Sequence, residues 1–231
     1  MKGMPQRYSL EPVVQESTPS IIARKLRYAI AYGEVAPGSQ LGEAELAREL
    51  GVSRGPLREA MQRLTQEGLL VSIRNRGLFV IEMTDAEIRD MYVLRTAIES
   101  AACKLLVRND HAAAGADLLE KVTEMENAAT SGNRAAMSDA DMAFHEHLVA
   151  LSGSRSLARI HSTLMTETRM CLTVLQESYR VTEEWIAEHR GIAEAVFNGN
   201  GPLAESRLSD HEDNALARLT SAPASVSVAQ N

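Results

Sequence analysis

Residues 42–68, GEAELARELGVSRGPLREAMQRLTQEG, leave this chain little choice of local structure. Leu46 and Leu50 stand at i and i+4, the spacing of one helical face, and Gly51 is the residue type that tolerates a left-handed helix end. Only Val52 separates that stop from Ser53, a good N-cap, and Pro56 falls in the first turn of the helix that follows. Leu57, Met61 and Leu64 form the apolar stripe of this second helix, while Arg54 and Arg58 share the opposite face near its N-terminus. Two short helices around a tight glycine turn are the helix-turn-helix pattern. Upstream, TPSIIARKLRYAIAY (18–32) predicts a helix with Ile22, Leu26, Ala29 and Ile30 inward and Gly33 as its stop; VAPGSQL reads as a turn punctuated by Pro37-Gly38. Downstream, LLVSI and LFVIEM read as strands flanking RNRG, a hairpin wing with a cationic tip.

The chemistry of these elements points to nucleic acid. Guanidinium groups at a helix N-terminus bond guanine edges or clamp phosphates, and a basic wing reaches the adjacent backbone or minor groove. The bland alternative for any one arginine is a solvated face. Helix, turn, helix and basic wing in this order favour DNA. The net charge of −7 is unevenly spread: residues 1–82 carry 11 Lys+Arg against 9 Asp+Glu, and residues 83–231 carry 13 against 22. This asymmetry predicts a two-part chain.

The second part reads as helices only. Aromatic residues make up 4% of the chain, and apolar residues recur at helical spacing. Thr84 with Glu87 forms a capping box that opens a helix running through EIRDMYVLRTAIESAACKLLV. Further helices fit 111–130, 138–152, 154–179, 182–198 and 202–220, separated by SGN, SGS and NGNGP, which implies a bundle. Cys103 and Cys171 show neither a disulfide nor a zinc-finger spacing and read as small core residues of a reduced protein. No run approaches the roughly 20 apolar residues of a membrane span, so the expectation is a soluble, cytoplasmic protein.

Asp141 and His145 stand at i and i+4, so on a helix a carboxylate and an imidazole meet on one face. A blander reading is that Ser138 to Asp141 is itself a capping box and that Asp141 serves the helix terminus. His189 stands nine residues before Asn198 and His211 nine residues after Pro202, on either side of the NGNGP turn. In an antiparallel hairpin rising about 1.5 Å per residue, equal offsets put both imidazoles at one height. Three imidazoles and one carboxylate suit a divalent Zn, Ni, Mn or Fe ion without choosing among them. Open coordination positions would take a small carboxylate, with Arg95 as countercharge; Arg95 equally suits Glu99 at i, i+4 as a structural partner. His147 lies on another helix face, and His111 and His161 have no partner at helical spacing. Glu146 and Glu188 adjoin ligands but read as facing away, and HEH is not the HExxH of metalloproteases.

Residues 26–80 resemble the DNA-binding domain of the GntR superfamily of bacterial transcription regulators. The resemblance implies DNA contacts from Ser53, Arg54, Gly55 and Arg58 on the recognition helix and from Arg74, Asn75 and Gly77 at the wing. Gly55 departs from the family, which usually carries threonine there. The segments LRTAIE, DMAFHEHL, EHRGIAEAV and SRLSDHEDNAL resemble the FCD domain, the effector-binding bundle of the FadR branch. That resemblance implies a divalent metal held by Asp141, His145, His189 and His211, a homodimer, and small organic acids or related metabolites as effectors.

The expected protein is therefore mainly α, a winged helix-turn-helix with a small β-hairpin wing followed by an antiparallel helical bundle. Its expected parts are a flexible arm (1–17), a DNA-binding domain (18–82), an effector-binding and dimerisation domain (83–220) and a flexible tail (221–231). Its expected work is that of a ligand-responsive regulator, a repressor, on a pseudo-palindromic double-stranded operator. A metal-dependent hydrolase carrying a DNA-binding head is the competing reading.

Overall fold

A computed structural model describes residues 16–174 and 183–221. The expected arm, up to residue 15, and the expected tail, from residue 222, lie outside the described residues, as do positions 175–179 of the predicted fourth bundle helix. The head consists of α1 (Thr18–Ala31), β1 (Gln40–Leu41), α2 (Glu43–Glu49), α3 (Arg54–Gln66), β2 (Leu70–Ile73) and β3 (Gly77–Val80). The stripe of α3 makes its core: Leu57 and Leu64 are fully buried, and Met61 nearly so, against Ile22, Leu26 and Ile30 of α1. In α2 the fully inward residue is Ala47, with Leu46 and Leu50 only half-buried. A short helix meeting α3 at close range has room for a methyl group on its axis of contact and for longer side chains at the margins.

Two expectations for the head need correction. Gln40 and Leu41, read as part of a turn, form an edge strand, because β3 offers them a free ladder: Gln40 pairs with Phe79 and Leu41 with Leu78. The wing is thus a three-stranded antiparallel sheet in the order β1-β3-β2. Its last strand also stops at Val80, short of Met83. At the tip, Asn75 takes φ 63° and Gly77 φ 103°, conformations open to Asn and Gly, and the Arg76 amide closes the turn on the Ile73 carbonyl at 3.0 Å.

The bundle comprises α4 (Asp85–Arg108), α5 (His111–Thr130), α6 (Arg134–Leu151), α7 (Arg155–Val174), α8 (Glu183–Phe197) and α9 (Gly201–Ser221). Both bonds of the Thr84–Glu87 capping box form: Thr84 Oγ1 accepts from the Glu87 amide, and Glu87 Oε2 accepts from the Thr84 amide at 2.7 Å. The start of α6 differs from expectation. Asn133, whose side chain accepts from the Ala136 amide at 3.2 Å, caps a helix beginning at Arg134, so Ser138 to Asp141 lies inside the helix and is no capping box. The earlier start adds a turn that buries Met137. Asp141 is thereby released from any terminal duty.

Cys103 and Cys171 are buried free thiols, both pushed up to about 12 by that burial. No helix among the described residues is long and apolar enough to cross a membrane. Where α5 crosses α8, Gly115 lies so close to Phe197 that an added Cβ would stand 2.3 Å from its Cα. Backbone cannot move aside as a side chain tip does, so Gly115→Ala is expected to destabilise the protein by about 1–3 kcal/mol, read as a lowered urea midpoint.

Head and bundle are in contact. Met170 of α7 packs into the head's core. The Tyr32 hydroxyl at the end of α1 donates to Asp139 Oδ1 of α6 at 2.9 Å, Arg169 of α7 pairs with the same carboxylate, and its guanidinium lies 4.6 Å over the Tyr32 ring.

Candidate metal centre and DNA-reading face

The i, i+4 pair of α6 and the hairpin α8–α9 bring Asp141, His145, His189 and His211 together in the middle of the bundle. All four are buried, and each offers one donor atom within 4.8 Å of the others. His189 and His211 do share one height, with ring centroids 4.3 Å apart, and His145 stacks on His211 at 5.2 Å. Phe144 meets His189 edge-on at 4.8 Å and helps close the site to water.

The outer edge of each imidazole is held by an acceptor. His145 Nδ1 donates to Glu99 Oε2 at 2.7 Å, His189 Nδ1 to the Trp185 carbonyl one turn back at 2.8 Å, and His211 Nδ1 to Glu188 Oε2 at 2.8 Å. These partners assign the proton of each neutral ring to Nδ1, which leaves three Nε2 lone pairs facing inward. His189 Nε2 lies 3.2 Å from His145 Nε2 and 3.0 Å from Asp141 Oδ1, and His145 Nε2 lies 3.9 Å from the same oxygen. Asp141 Oδ1 accepts no hydrogen bond despite its burial. Acceptors facing acceptors in a dry interior repel one another unless a cation lies between them. Bonds of about 2.0–2.2 Å from such donors to a divalent ion set neighbouring donors about 3 to 3.5 Å apart, so the residues present fit a metal.

The electrostatics agree. Burial pushes the Asp141 carboxyl up, but whenever a proton is on the imidazoles beside it, that of His189 foremost, their pull outweighs burial and holds it below the usual carboxylate range. Burial pulls His145 down to about 4 against the opposing pull of Glu99, and burial followed by its histidine neighbours pulls His211 well below its ordinary value. A carboxylate at Asp141 and neutral imidazoles at His145 and His211 are protonation states a metal requires.

Beside this set lies a charged cluster that the sequence revealed only in part. Arg95 is 2% exposed, with Nε 2.8 Å from Glu99 Oε1 and Nη2 3.1 Å from Glu212 Oε1. The second approach is poorly aligned, and Arg95 Nη2 makes no hydrogen bond. Burial pushes Glu212 well above the usual range despite Arg95, whereas for Glu99 the effect of burial is overcome by His145 and Arg95, and it stays ionised. His161, read as partnerless, donates through Nε2 to Glu99 Oε1 at 2.8 Å. His111 also has a partner, the Phe197 carbonyl at 2.9 Å. Glu188, read as facing away, instead fixes His211 and is itself held by Asn214 and Arg218. Glu146 is exposed, as read, and His147 is only half-buried. Helical spacing reports contacts within one helix; Glu99 with His161 and Glu188 with His211 join different helices.

On the head, Ser53, Arg54, Gly55 and Arg58 are exposed on the first two turns of α3, and Arg74, Asn75 and Gly77 are exposed at the wing tip. Ser53 occupies the N-cap position without a side-chain cap bond, which leaves its hydroxyl outward. Arg58 Nε pairs with Glu43 Oε2 at 2.8 Å, with the arginine side chain 67% exposed. Nothing lies within 4 Å of a Cβ added at Gly55, so packing does not require glycine there. Gln40 Nε2 donates to the Arg76 carbonyl and braces the wing tip from β1.

Residues 20–80 match the bacterial regulatory proteins of the gntR family, and residues 90–214 match the FCD domain. The chain belongs to the gntR family, in the group whose C-terminal half is an FCD domain. The gluconate operon transcriptional repressor of Bacillus subtilis is a relative, 31% identical over 90% of this chain and 87% of its own length. The Nta operon transcriptional regulator of Aminobacter aminovorans is 33% identical over 68% of this chain and 73% of its own. Among solved structures, a GntR transcriptional regulator from Rhodococcus sp. RHA1 superposes with a TM-score of 0.76 at 26% identity, covering 90% of this chain and 100% of that one. The fold is likewise that of Escherichia coli McbR/YncC, with a TM-score of 0.78 at 22% identity over 89% and 98% of the two chains. A gntR-type, DNA-binding transcription regulator with a mainly helical winged helix-turn-helix and FCD architecture is thus established.

Proposed function

We propose that this regulator is a repressor that binds a pseudo-palindromic operator as a homodimer and releases it when a small carboxylate reaches a divalent metal in the bundle. The observation that carries the reading is the convergence of three imidazole Nε2 atoms and the orphaned Asp141 Oδ1 on one buried point. A bound divalent ion supplies a Lewis-acid seat for a carboxylate at that point. Arg95 is the second recognition group: its Nη2 makes no aligned hydrogen bond, although Glu212 Oε1 lies 3.1 Å away. The name of the Bacillus subtilis gluconate repressor supports a small organic acid as the effector class.

Reading is proposed to fall to Ser53, Arg54, Gly55 and Arg58 in the major groove and to Arg74, Asn75 and Gly77 beside it. Transmission follows α6, which carries Asp141 and His145 at the centre and Asp139 at the head. Because Asp139 grips Tyr32 and Arg169 together, a shift of α6 reaches α1 without an intervening loop.

Operator fragments obtained by in vitro selection, titrated with protein before and after a panel of small carboxylates, test this reading. Affinity is expected to fall on adding the right acid, in untreated protein but not after chelator treatment. An acid response that survives complete metal removal would overturn it. Tyr32→Phe removes the donor to Asp139 and is expected to bring the coupling, ordinarily about 5- to 150-fold, toward unity while leaving metal content unchanged. An unaltered acid response in that variant would exclude this route.

A further inference from the structure

The head and the bundle flank an open cleft of about 850 Å³ that neither the metal centre nor the reading face uses. That volume lies within the range of small-molecule sites. Three of the large apolar side chains left exposed among the described residues line it: Val71 at the root of the wing, Leu94 of α4 and Ile160 of α7, exposed by 43%, 46% and 41%. They come from three elements and two domains, so a single apolar body between them would touch head and bundle at once.

The charge of the walls selects the ligand. Glu67, Glu82, Glu87, Asp90 and Glu167 line the cleft together with Arg27 and Arg159. Arg27 is already bound bidentately by Glu67, with Nη2–Oε2 at 2.7 Å, and Glu87 is occupied by the cap of α4. Among the described residues Glu167 has no such partner: burial alone acts on its carboxyl and pushes it up to about 7. Its Oε1 points at Gly68, standing 3.8 Å from where a Cβ on that glycine would be. Gly68 closes α3, through bonds from its own amide to Thr65 and from the Leu69 amide to Leu64. Glu167 therefore faces the C-terminal, partly negative end of the recognition helix, a position that attracts a cation.

We propose that this cleft is a second ligand site, for an organic monocation with an apolar body. Its ammonium or amidinium group sits between Glu167 and the end of α3, and its hydrocarbon covers Leu94, Ile160 and Val71. The ligand class is opposite in charge to the acid proposed for the metal centre, and the site stands independently of that reading. Occupancy ties the recognition helix to α7, so it is expected to shift operator affinity severalfold by fixing the head on the bundle.

Titration calorimetry with n-octylammonium chloride tests the site. Saturable binding of one equivalent per subunit is expected, unchanged by EDTA. Octanoate, with the same body and the opposite charge, and ethylammonium, with the same charge and little body, are expected not to saturate. Glu167→Gln and Ile160→Ala change side chains that are at most partly buried, and each is expected to weaken n-octylammonium at least tenfold with the urea unfolding midpoint retained. Absence of saturation, equal binding of octanoate, or undiminished binding in Glu167→Gln would each overturn the proposal. A loss of binding that follows metal removal would do the same, since it would move the ligand to the bundle centre.

Discussion

His189→Ala is expected to empty the bundle of divalent metal. Purified protein should fall from about one ion per subunit to below a tenth of that, read by elemental analysis after dialysis against metal-free buffer. His189 is the centre of the donor set: its Nε2 is within 3.2 Å of both His145 Nε2 and Asp141 Oδ1. Removing it takes away one donor and also the ring against which Phe144 and His211 are packed. Replacing Glu188 by Gln spares every ligand but weakens the acceptor that orients His211, so a smaller loss of about 10- to 100-fold in metal affinity is expected, measured by chelator competition. The two variants distinguish ligation from general damage. If His189→Ala kept full occupancy, or Glu188→Gln lost as much as His189→Ala, the assignment of Nε2 as the ligating atom would fail. In the unaltered protein, EDTA should also lower the unfolding temperature, because an ion bound only to the native state stabilises it by mass action; in His189→Ala the same addition should have little effect.

Arg58→Ala is expected to weaken operator binding by roughly 5- to 100-fold at fixed salt, the range found for a guanidinium that reads a base. If Arg58 contacts only phosphate, the loss is instead uniform across DNA sequences, and the slope of affinity against salt falls by about one unit. The fold is not at risk, since the side chain is exposed and its partner Glu43 sits on the surface of α2. That pairing sharpens the test. Glu43 holds the guanidinium through Nε and competes with DNA for it, so Glu43→Gln is expected to leave operator affinity unchanged or raise it. Fluorescence anisotropy on one operator fragment at several salt concentrations measures both variants. Undiminished binding by Arg58→Ala would remove Arg58 from the reading face.

Much of the head is written in short-range terms. The stop at Gly51, the N-cap position of Ser53 and the stripe Leu57, Met61 and Leu64 need only neighbours within a turn or two, and the structure keeps them. β1 is different, because a two-residue strand has no period of its own and exists only where β3 presents a free edge. The sequence alone starts α6 at Ser138, a good cap, whereas Asn133 caps it in the structure. Burial of Met137 in the bundle favours the earlier one, and local propensity alone cannot express that.

By itself the sequence pointed to two units of unequal charge and singled out candidate arginines for a reading face and the four metal-centre candidates. Each of these rests on spacing within a helix or on symmetry about one turn. Only the tertiary structure decided what surrounds them. Glu99 bridging His145 and His161, Glu188 holding His211, Glu212 beside Arg95 and Asp139 gripping Tyr32 all join helices distant in sequence. Such pairings depend on the rotation and depth of one helix against another. That is set by how whole side-chain surfaces interlock, and no local periodicity encodes it.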